Sequence, residues 1–268
     1  MKSSDSKSGP LSAVEAVLTR GSIILSILFL AACAQVPTDP EAHAEYDRAN
    51  DPAEPTNRTI FAGNEYVDRN AVQPVARAYE EYVPSRGRKI IHNFVSNLKE
   101  PEIAVNDTLQ ANFSRAWNTT ERFVINTTVG GAGLFDVASD WNRPHHDADF
   151  GQTFGVWGIG TGPTVELPLF GSSNVRDSVG KLGDILADPI NLIPGGAMST
   201  IDLAGTGVGA VDERADLLST TDTLEKTSVD YYASLRSMQA QHRAALVEEG
   251  KAGDVDIGPD TPLPDDTP

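Results

Sequence analysis

The sequence predicts an all-α fold, a compact arrangement of short helices between an N-terminal targeting segment and a polar C-terminal tail. Apolar residues recur with a period near 3.6 through most of the chain, and sustained alternation with period 2 is scarce. Proline and glycine interrupt this pattern repeatedly, which keeps the predicted helices short. These observations favour a compact helical body over a bundle of long helices.

The N-terminus has the pattern of a secretory signal. A polar stretch with three basic residues precedes the apolar run 23–30, which is roughly half the length that a transmembrane helix needs. The run ends in Leu-Ala-Ala followed by Cys33, the only cysteine of the chain. This arrangement resembles the lipobox of bacterial lipoproteins, in which the thiol is acylated and the chain is cut before the cysteine. The alternative is an ordinary signal peptide with an incidental cysteine near the cut.

Composition divides the chain into four segments. Residues 1–32 are the predicted signal peptide, and residues 33–50 are the predicted acylated N-terminus and tether. Residues 51–248 form the predicted helical domain. Residues 249–268 are rich in glycine, proline and aspartate, so they cannot build a core, and we predict a disordered acidic tail.

Within the domain, the apolar spacing predicts a series of amphipathic helices. In chain order they cover 56–70, 72–82, 85–98, a helix that Pro101 opens, 115–129, 171–187 and 220–248. Four of them start at a side chain that can accept the free amide hydrogens of a first turn, namely Thr56, Ser85, Ser114 and Ser173.

Segment 150–171 departs from this pattern. It mixes six glycines with phenylalanine, tryptophan, valine and isoleucine, and glycine at this density disfavours a helix. The apolar residues between the glycines must be buried or must meet lipid. Two interpretations stay open, a buried apolar loop that closes the core and a lipid-contacting hairpin.

The net charge and the motifs restrict the function. A formal net charge of −17 repels phosphate backbones and argues against a nucleic-acid partner. The sequence has no Gly-x-Ser-x-Gly, His-Glu-x-x-His, Cys-x-x-Cys or Walker-type motif. The sequence comes nearest to a metal cluster at His145, His146, Asp147 and Asp149. Because adjacent histidines point in different directions and the loop after Pro144 should be exposed, we predict no metal site here. Since the motifs above are absent, we also predict no cofactor and no enzyme activity.

Several blocks of the domain carry a resemblance. They include Arg122 to Gly131 (RFVINTTVGG), Asp149 to Thr153 (DFGQT) and Asn93 to Pro101 (NFVSNLKEP), in an order and spacing that extend over about 51–195. These blocks resemble the MlaA (VacJ) family of phospholipid-binding lipoproteins. One departure is Glu166, an acidic residue in a stretch that we expect to be mostly apolar.

The resemblance implies a ring-like body in the inner leaflet of the outer membrane, with a central polar channel. Phospholipid mislocalised to the outer leaflet would pass through this channel to a soluble periplasmic carrier, and the body would sit beside trimeric porins. Neutral polar residues with two aromatic neighbours are the candidate lipid path, namely Asn57, Phe61, Asn64, Asn126, Thr127, Thr128, Gln152 and Trp157.

Other interpretations stay open at this point. Each polar residue of the candidate path can instead be a helix cap or a satisfied buried hydrogen-bonding group. The whole protein can instead be a structural lipoprotein that scaffolds porins or the envelope without moving lipid. A lipid-modifying enzyme is the third hypothesis, and it needs a nucleophile or a metal that the motifs do not supply.

Overall fold

The computed structural model describes residues 50–187 and 196–253, and in these ranges the all-α prediction is confirmed. The helices are α1 (Glu54–Val67), α2 (Gln73–Tyr82), α3 (Ser85–Leu109), α4 (Phe113–Thr128), α5 (Val137–Asp140), α6 (Phe150–Val156), α7 (Val175–Ala187), α8 (Gly196–Asp216), α9 (Leu218–Thr227) and α10 (Tyr231–Ala252). Two strands, β1 (Thr164–Leu167) and β2 (Gly171–Asn174), form the one described sheet. The signal peptide, Cys33, almost all of the tether and the tail after Gly253 lie outside the described residues.

Helices α1 and α2 follow each other through a π-helical turn at Asp68–Val72. Helix α1 begins before Thr56, the predicted cap, because Pro55 occupies the first turn, where the missing amide hydrogen of proline costs nothing. Pro74 occupies the corresponding place in α2. The predicted boundary between the two helices is therefore close to the observed one, while the predicted start is late.

Helix α3 runs through Pro101, where the sequence predicts a new helix. An internal proline removes one backbone hydrogen bond and usually ends or kinks a helix. Here α3 packs along α4 over most of its length. Buried side chains on both sides of the proline, such as Asn97 and Glu100 before it and Asn106 after it, hold α3 in one piece.

Two other boundaries differ from the prediction. Residues 171–174 pair as β2, so α7 begins at Val175, and the side chain of Asn174, not Ser173, accepts the amide hydrogen of Asp177 at 2.9 Å. The predicted helix 220–248 is divided into α9 and α10. Asp230 begins the second of these by accepting the amide hydrogen of Ala233 at 3.2 Å.

The glycine-rich segment contains a helix, so the expectation that glycine prevents one is wrong for Phe150–Val156. The reason is close packing against α7 and α10. A Cβ atom on Gly151 would lie 2.7 Å from Asp177 Oδ1, and one on Gly155 would lie 2.6 Å from Val247 Cγ2. The glycines thus allow contacts that offset their intrinsic cost of about 1 kcal/mol each.

A hairpin is present, but it lies at the end of the glycine-rich segment and just beyond it. Strands β1 and β2 are antiparallel, with Thr164 opposite Asn174 and Leu167 opposite Gly171. The hairpin contacts α1, α7 and α10. The ring-like arrangement of the helices stays a prediction.

The buried residues of the described ranges are mostly polar. Nineteen polar or charged residues are buried, against nine hydrophobic ones, four of which are alanines. One small apolar cluster joins Ala76 of α2, Ala215 of α8 and Leu218 of α9, with Tyr79 packed against it. None of the described helices is both long and apolar enough to cross a bilayer. The interior of this body therefore differs from that of an ordinary water-soluble domain, in which apolar side chains dominate.

Candidate functional site

Helix α4 is amphipathic, but its polar face is buried and its apolar face is exposed. Its buried residues are all polar or charged, namely Arg115, Asn118, Thr119, Arg122 and Asn126. Its exposed face carries Phe113, Trp117 and Val124, which are 69%, 65% and 53% exposed. A surface helix of a water-soluble protein shows the reverse arrangement. The outer face of α4 is therefore suited to an apolar environment.

Exposed apolar side chains continue around the body. Tyr82, Phe135, Trp141, Leu169 and Phe170 are each more than half exposed. Exposed apolar side chains in this number are typical of proteins that contact another protein or a membrane.

A charged network fills the interface between α3 and α4. Arg122 donates to Glu100 at 2.8 Å and to Asp136 at 3.1 Å, and it also donates to the backbone carbonyl of Arg143. Burial raises the pKa of Asp136, but hydrogen bonds from Ser139 and the charge of Arg122 outweigh this and lower it. The buried charges are thus paired and hydrogen-bonded, as burial requires.

The two histidines that the sequence placed in an exposed loop have different environments. His146 is buried, and its Nε2 lies 2.9 Å from Asp107 Oδ2, so the exposed-loop prediction is wrong for this residue. His145 lies against Glu100 and Asp147. Burial alone would lower the pKa of His145, but the two carboxylates raise it to about 9. Both histidines therefore have carboxylate partners inside the protein.

Elsewhere in the described part of the chain, three side chains bring possible metal-ligating atoms close together. His92, Asp212 and Asp216 offer such atoms within 4.8 Å of one another. Asp212 already accepts from the hydroxyl of Tyr79 at 2.7 Å and lies 2.9 Å from His92 Nδ1. Through these contacts, the group of side chains joins α2, α3 and α8.

The predicted path residues of α1 hold the hairpin. Asn57 accepts from the amide of Glu166 at 3.0 Å, and Asn64 donates to the Glu166 carboxylate at 3.0 Å. Ser172 donates to the other oxygen of this carboxylate at 2.6 Å. Burial raises the pKa of Glu166, and these two hydrogen bonds oppose the rise. Phe61, on the same helix, packs edge-on against Tyr232 with ring centroids 5.3 Å apart.

The other path residues have separate surroundings. Asn126 donates to Asp136 at 2.9 Å and accepts from the amide of Ala138 at 2.9 Å. Thr127 accepts from Asn97 at 3.0 Å, and Thr128 donates to the carbonyl of Val124 at 2.6 Å. Both threonines are exposed. The three residues meet none of the partners that hold Asn57 and Asn64.

The last two path residues lie in and after α6. Gln152 is buried, and among the described residues its Oε1 has no hydrogen-bond partner. Trp157 exposes its ring and donates its indole hydrogen to the carbonyl of Leu109 at 3.0 Å. The structure thus places the eight path residues in three locations, with Asn57 and Asn64 joined through Glu166.

A cavity of about 270 Å³ lies between the hairpin, α7 and α10. Its walls include Ser172 and Ser173 of the hairpin, Lys181 of α7, and Arg236 and Arg243 of α10. Sequence reasoning missed these cations because single basic residues on amphipathic helices match no binding motif. The seven-residue spacing of the two arginines, which puts them on one helix face, was the available signal.

Two of the three cations in this cavity have carboxylate partners. Arg243 donates to Asp149 at 2.6 and 2.9 Å and to Asp177 at 2.9 Å. Arg236 donates to Asp51 at 2.8 Å. Desolvation would lower the pKa of Arg243, but the two aspartates raise it.

Comparison with known proteins gives one consistent result. The MlaA lipoprotein family matches residues 49–246. The chain is 32% identical over 241 residues to the "Intermembrane phospholipid transport system lipoprotein MlaA" of Shigella flexneri, covering 87% of this chain and 90% of that protein. It is 35% identical over 201 residues to an uncharacterized protein of Rickettsia bellii, covering 75% and 78%.

A solved structure is also similar. It comes from work described as "Structural basis for maintenance of bacterial outer membrane lipid asymmetry", with a TM-score of 0.64 and 35% sequence identity. The similarity covers 74% of this chain and 98% of the other. Fold and sequence therefore agree.

Proposed function

Since the chain belongs to the MlaA lipoprotein family, we propose that it is an outer-membrane lipoprotein that removes mislocalised phospholipid from the outer leaflet. It passes this lipid to a soluble periplasmic carrier and so maintains the lipid asymmetry of the outer membrane. The Shigella flexneri relative, an intermembrane phospholipid transport system lipoprotein, supports this proposal. The similar solved structure, from work on outer-membrane lipid asymmetry, supports it as well.

One observation about this chain carries the proposal, the polar interior beneath an apolar exterior. A phospholipid has a charged headgroup and two acyl chains, so its path needs polar walls within a body that apolar surroundings accept. The buried face of α4 is polar and its exposed face is apolar, and most buried residues of the described ranges are polar as well. This arrangement would be unfavourable in water, where exposed apolar area costs about 25 cal/mol per Å².

The proposed location in the membrane follows from the same contrast between a polar interior and an apolar exterior. The acyl chains on Cys33 would anchor the protein, and the apolar exterior would lie among acyl chains of the inner leaflet on the periplasmic side. Part of this exterior, such as the face formed by Phe113 and Trp117, is also suited to the apolar outer wall of a trimeric porin. A contact of this kind would add to the binding that the acyl chains supply.

The eight path residues take two kinds of role in this proposal. Asn57, Asn64 and Asn126 shape the walls, because their side-chain amides already hold the hairpin or the α4–α5 connection. Thr127 and Trp157 expose their side chains and are accessible to a passing lipid. Gln152 and Thr128 are the remaining polar residues that would line the path. Phe61 lies at an open groove beside α10. The transfer needs no covalent step and no cofactor.

The experiment is a measurement of outer-leaflet phospholipid in cells that lack this protein. Palmitoylation of surface phospholipid reports its amount, and complementation with wild type or Cys33→Ala tests the anchor. We expect the deletion to raise surface phospholipid and only the wild type to restore it, at matched protein levels. Unchanged surface phospholipid in a weakened envelope would instead support a scaffold that holds porins without moving lipid.

A further inference from the structure

The cavity between the hairpin, α7 and α10 is locally positive in an acidic protein. Its lining contains three cations, Lys181, Arg236 and Arg243, and two carboxylates, Asp149 and Asp177. With Asp51 and Arg176, which pair with Arg236 and Asp177, included, the excess is one positive charge, whereas the chain as a whole has a net charge of −17. A small anion therefore meets a favourable local charge at this cavity.

Lys181 supplies this excess charge. Both arginines are committed to aspartates at 2.6–2.9 Å. In the described part of the chain Lys181 forms no ion pair, and its ammonium nitrogen lies 5.7 Å from the centre of the Phe170 ring. The desolvation of this half-buried ammonium is offset only in part, by the more distant charges of Asp149, Asp177 and Glu213. An anionic ligand would compensate it.

The remaining walls suit a phosphodiester. Thr161, Thr164, Ser172 and Ser173 bring hydroxyl groups to the cavity, and hydroxyl groups can donate to phosphate oxygens. The volume of about 270 Å³ lies just below the range of about 300–1,000 Å³ that drug-sized ligands occupy. The cavity therefore has room for a headgroup and leaves the acyl chains outside.

We propose that this cavity is a headgroup site in which Lys181 binds the phosphodiester and selects anionic phospholipids over zwitterionic ones. This inference rests on the proposed function. Selectivity arises because both carboxylates of the lining already accept hydrogen bonds from Arg243. The ammonium of phosphatidylethanolamine finds no unpaired carboxylate in the lining and meets three cations, whereas the glycerol of phosphatidylglycerol is neutral.

The test measures which lipids the full-length acylated protein binds. Protein in detergent is incubated with an equimolar mixture of phosphatidylglycerol and phosphatidylethanolamine, and the bound lipids are quantified by mass spectrometry. Wild type should enrich phosphatidylglycerol roughly tenfold, because both lipids offer the phosphodiester to Lys181 but only the ammonium of phosphatidylethanolamine is repelled by the cations. Lys181→Gln should abolish the enrichment, Lys181→Arg should retain most of it, and Lys226→Gln on α9 should bind like wild type.

The outcomes separate this inference from the function on which it rests. Equal enrichment in wild type and in folded Lys181→Gln, or no enrichment in either, overturns the headgroup site while lipid transport stands. The absence of bound lipid in every variant overturns the proposed function itself. Glycerophosphoglycerol should displace phosphatidylglycerol, and inorganic phosphate should not. Equal displacement by inorganic phosphate would identify a simple anion site and contradict headgroup selection.

Discussion

The α3–α4 interface and the junction of α2, α8 and α9 are built in opposite ways. Between α3 and α4, charged pairs such as Arg122 with Glu100 are buried, and Trp117 faces outward. At the junction of α2, α8 and α9, Leu218 is buried among alanines, and ion pairs such as Arg77 with Asp222 lie on the surface. The second arrangement is expected in water and the first against acyl chains. If the body is embedded as we propose, the two regions face different environments.

The largest effect should come from breaking the polar interface. Arg122→Ala would leave Glu100, which is 1% exposed, with only His145 as a charged partner, and removal of one member of a buried ion pair typically costs about 3–5 kcal/mol. The free energy of unfolding in detergent, measured by denaturant titration, checks this. Arg77→Ala is the control, since its exposed pair with Asp222 should contribute at most about 1 kcal/mol. Equal effects of the two substitutions would remove the distinction between the regions.

The apolar junction should respond to loss of volume. Leu218 is 3% exposed, so Leu218→Ala would leave a void and should lower the free energy of unfolding by about 2–3 kcal/mol. The same denaturant titration measures this effect. Leu217→Ala, next to it and 41% exposed, should change the free energy by no more than about 0.5 kcal/mol. A similar loss at both positions would show that no packed apolar centre exists here.

The outer faces of the two regions should differ in lipid contact. If Cys33 is acylated, a cysteine introduced elsewhere is the only free thiol, so Val124→Cys on α4 and Asp222→Cys on α9 can each carry one fluorophore. In bilayers with nitroxide-labelled lipid, the probe at position 124 should be quenched several-fold more than that at 222. This follows from the exposed apolar face at 124 and the surface ion pair at 222. Equal quenching would place both faces in one environment.

The sequence predicts the helical class of this body well, because the 3.6 period depends on local spacing. It does not predict which face is buried, since the period is the same when polar residues point inward, as Arg115 and Asn126 do in α4. The continuity of α3 through Pro101 and the helix at Gly151 likewise depend on contacts with distant elements. Periodicity contains no information about such contacts.

The candidate lipid path also shows what helical spacing can and cannot predict. Asn57 and Asn64 are seven residues apart, so helical spacing alone puts them on one face. That this face holds Glu166, more than a hundred positions away along the chain, becomes visible only in the structure. Lys181 was missed because a lone lysine on an amphipathic helix has no local signature, and its significance depends on the arginines of another helix being already paired.

The smallest expected effect is a dependence of the free energy of unfolding on pH. It would show that the polar α3–α4 interface contains a contact that depends on a bound proton. Burial alone would lower the pKa of His145, but Asp147 and Glu100 raise it to about 9 from the ordinary 6.5. The charged form is therefore favoured on folding. Its stabilisation is complete below about pH 6.5 and is lost as the pH rises through 9.

The side chain of His145 is 32% exposed, so water screens the contact, and we expect a decline of only about 1 kcal/mol between these pH values. His145→Gln should remove the decline in unfolding free energy, and His242→Gln on the exposed surface of α10 should keep it. A slope that survives His145→Gln would mean that a group other than His145 releases the proton. The proton-linked contact would then not be the one that His145 makes at the α3–α4 interface.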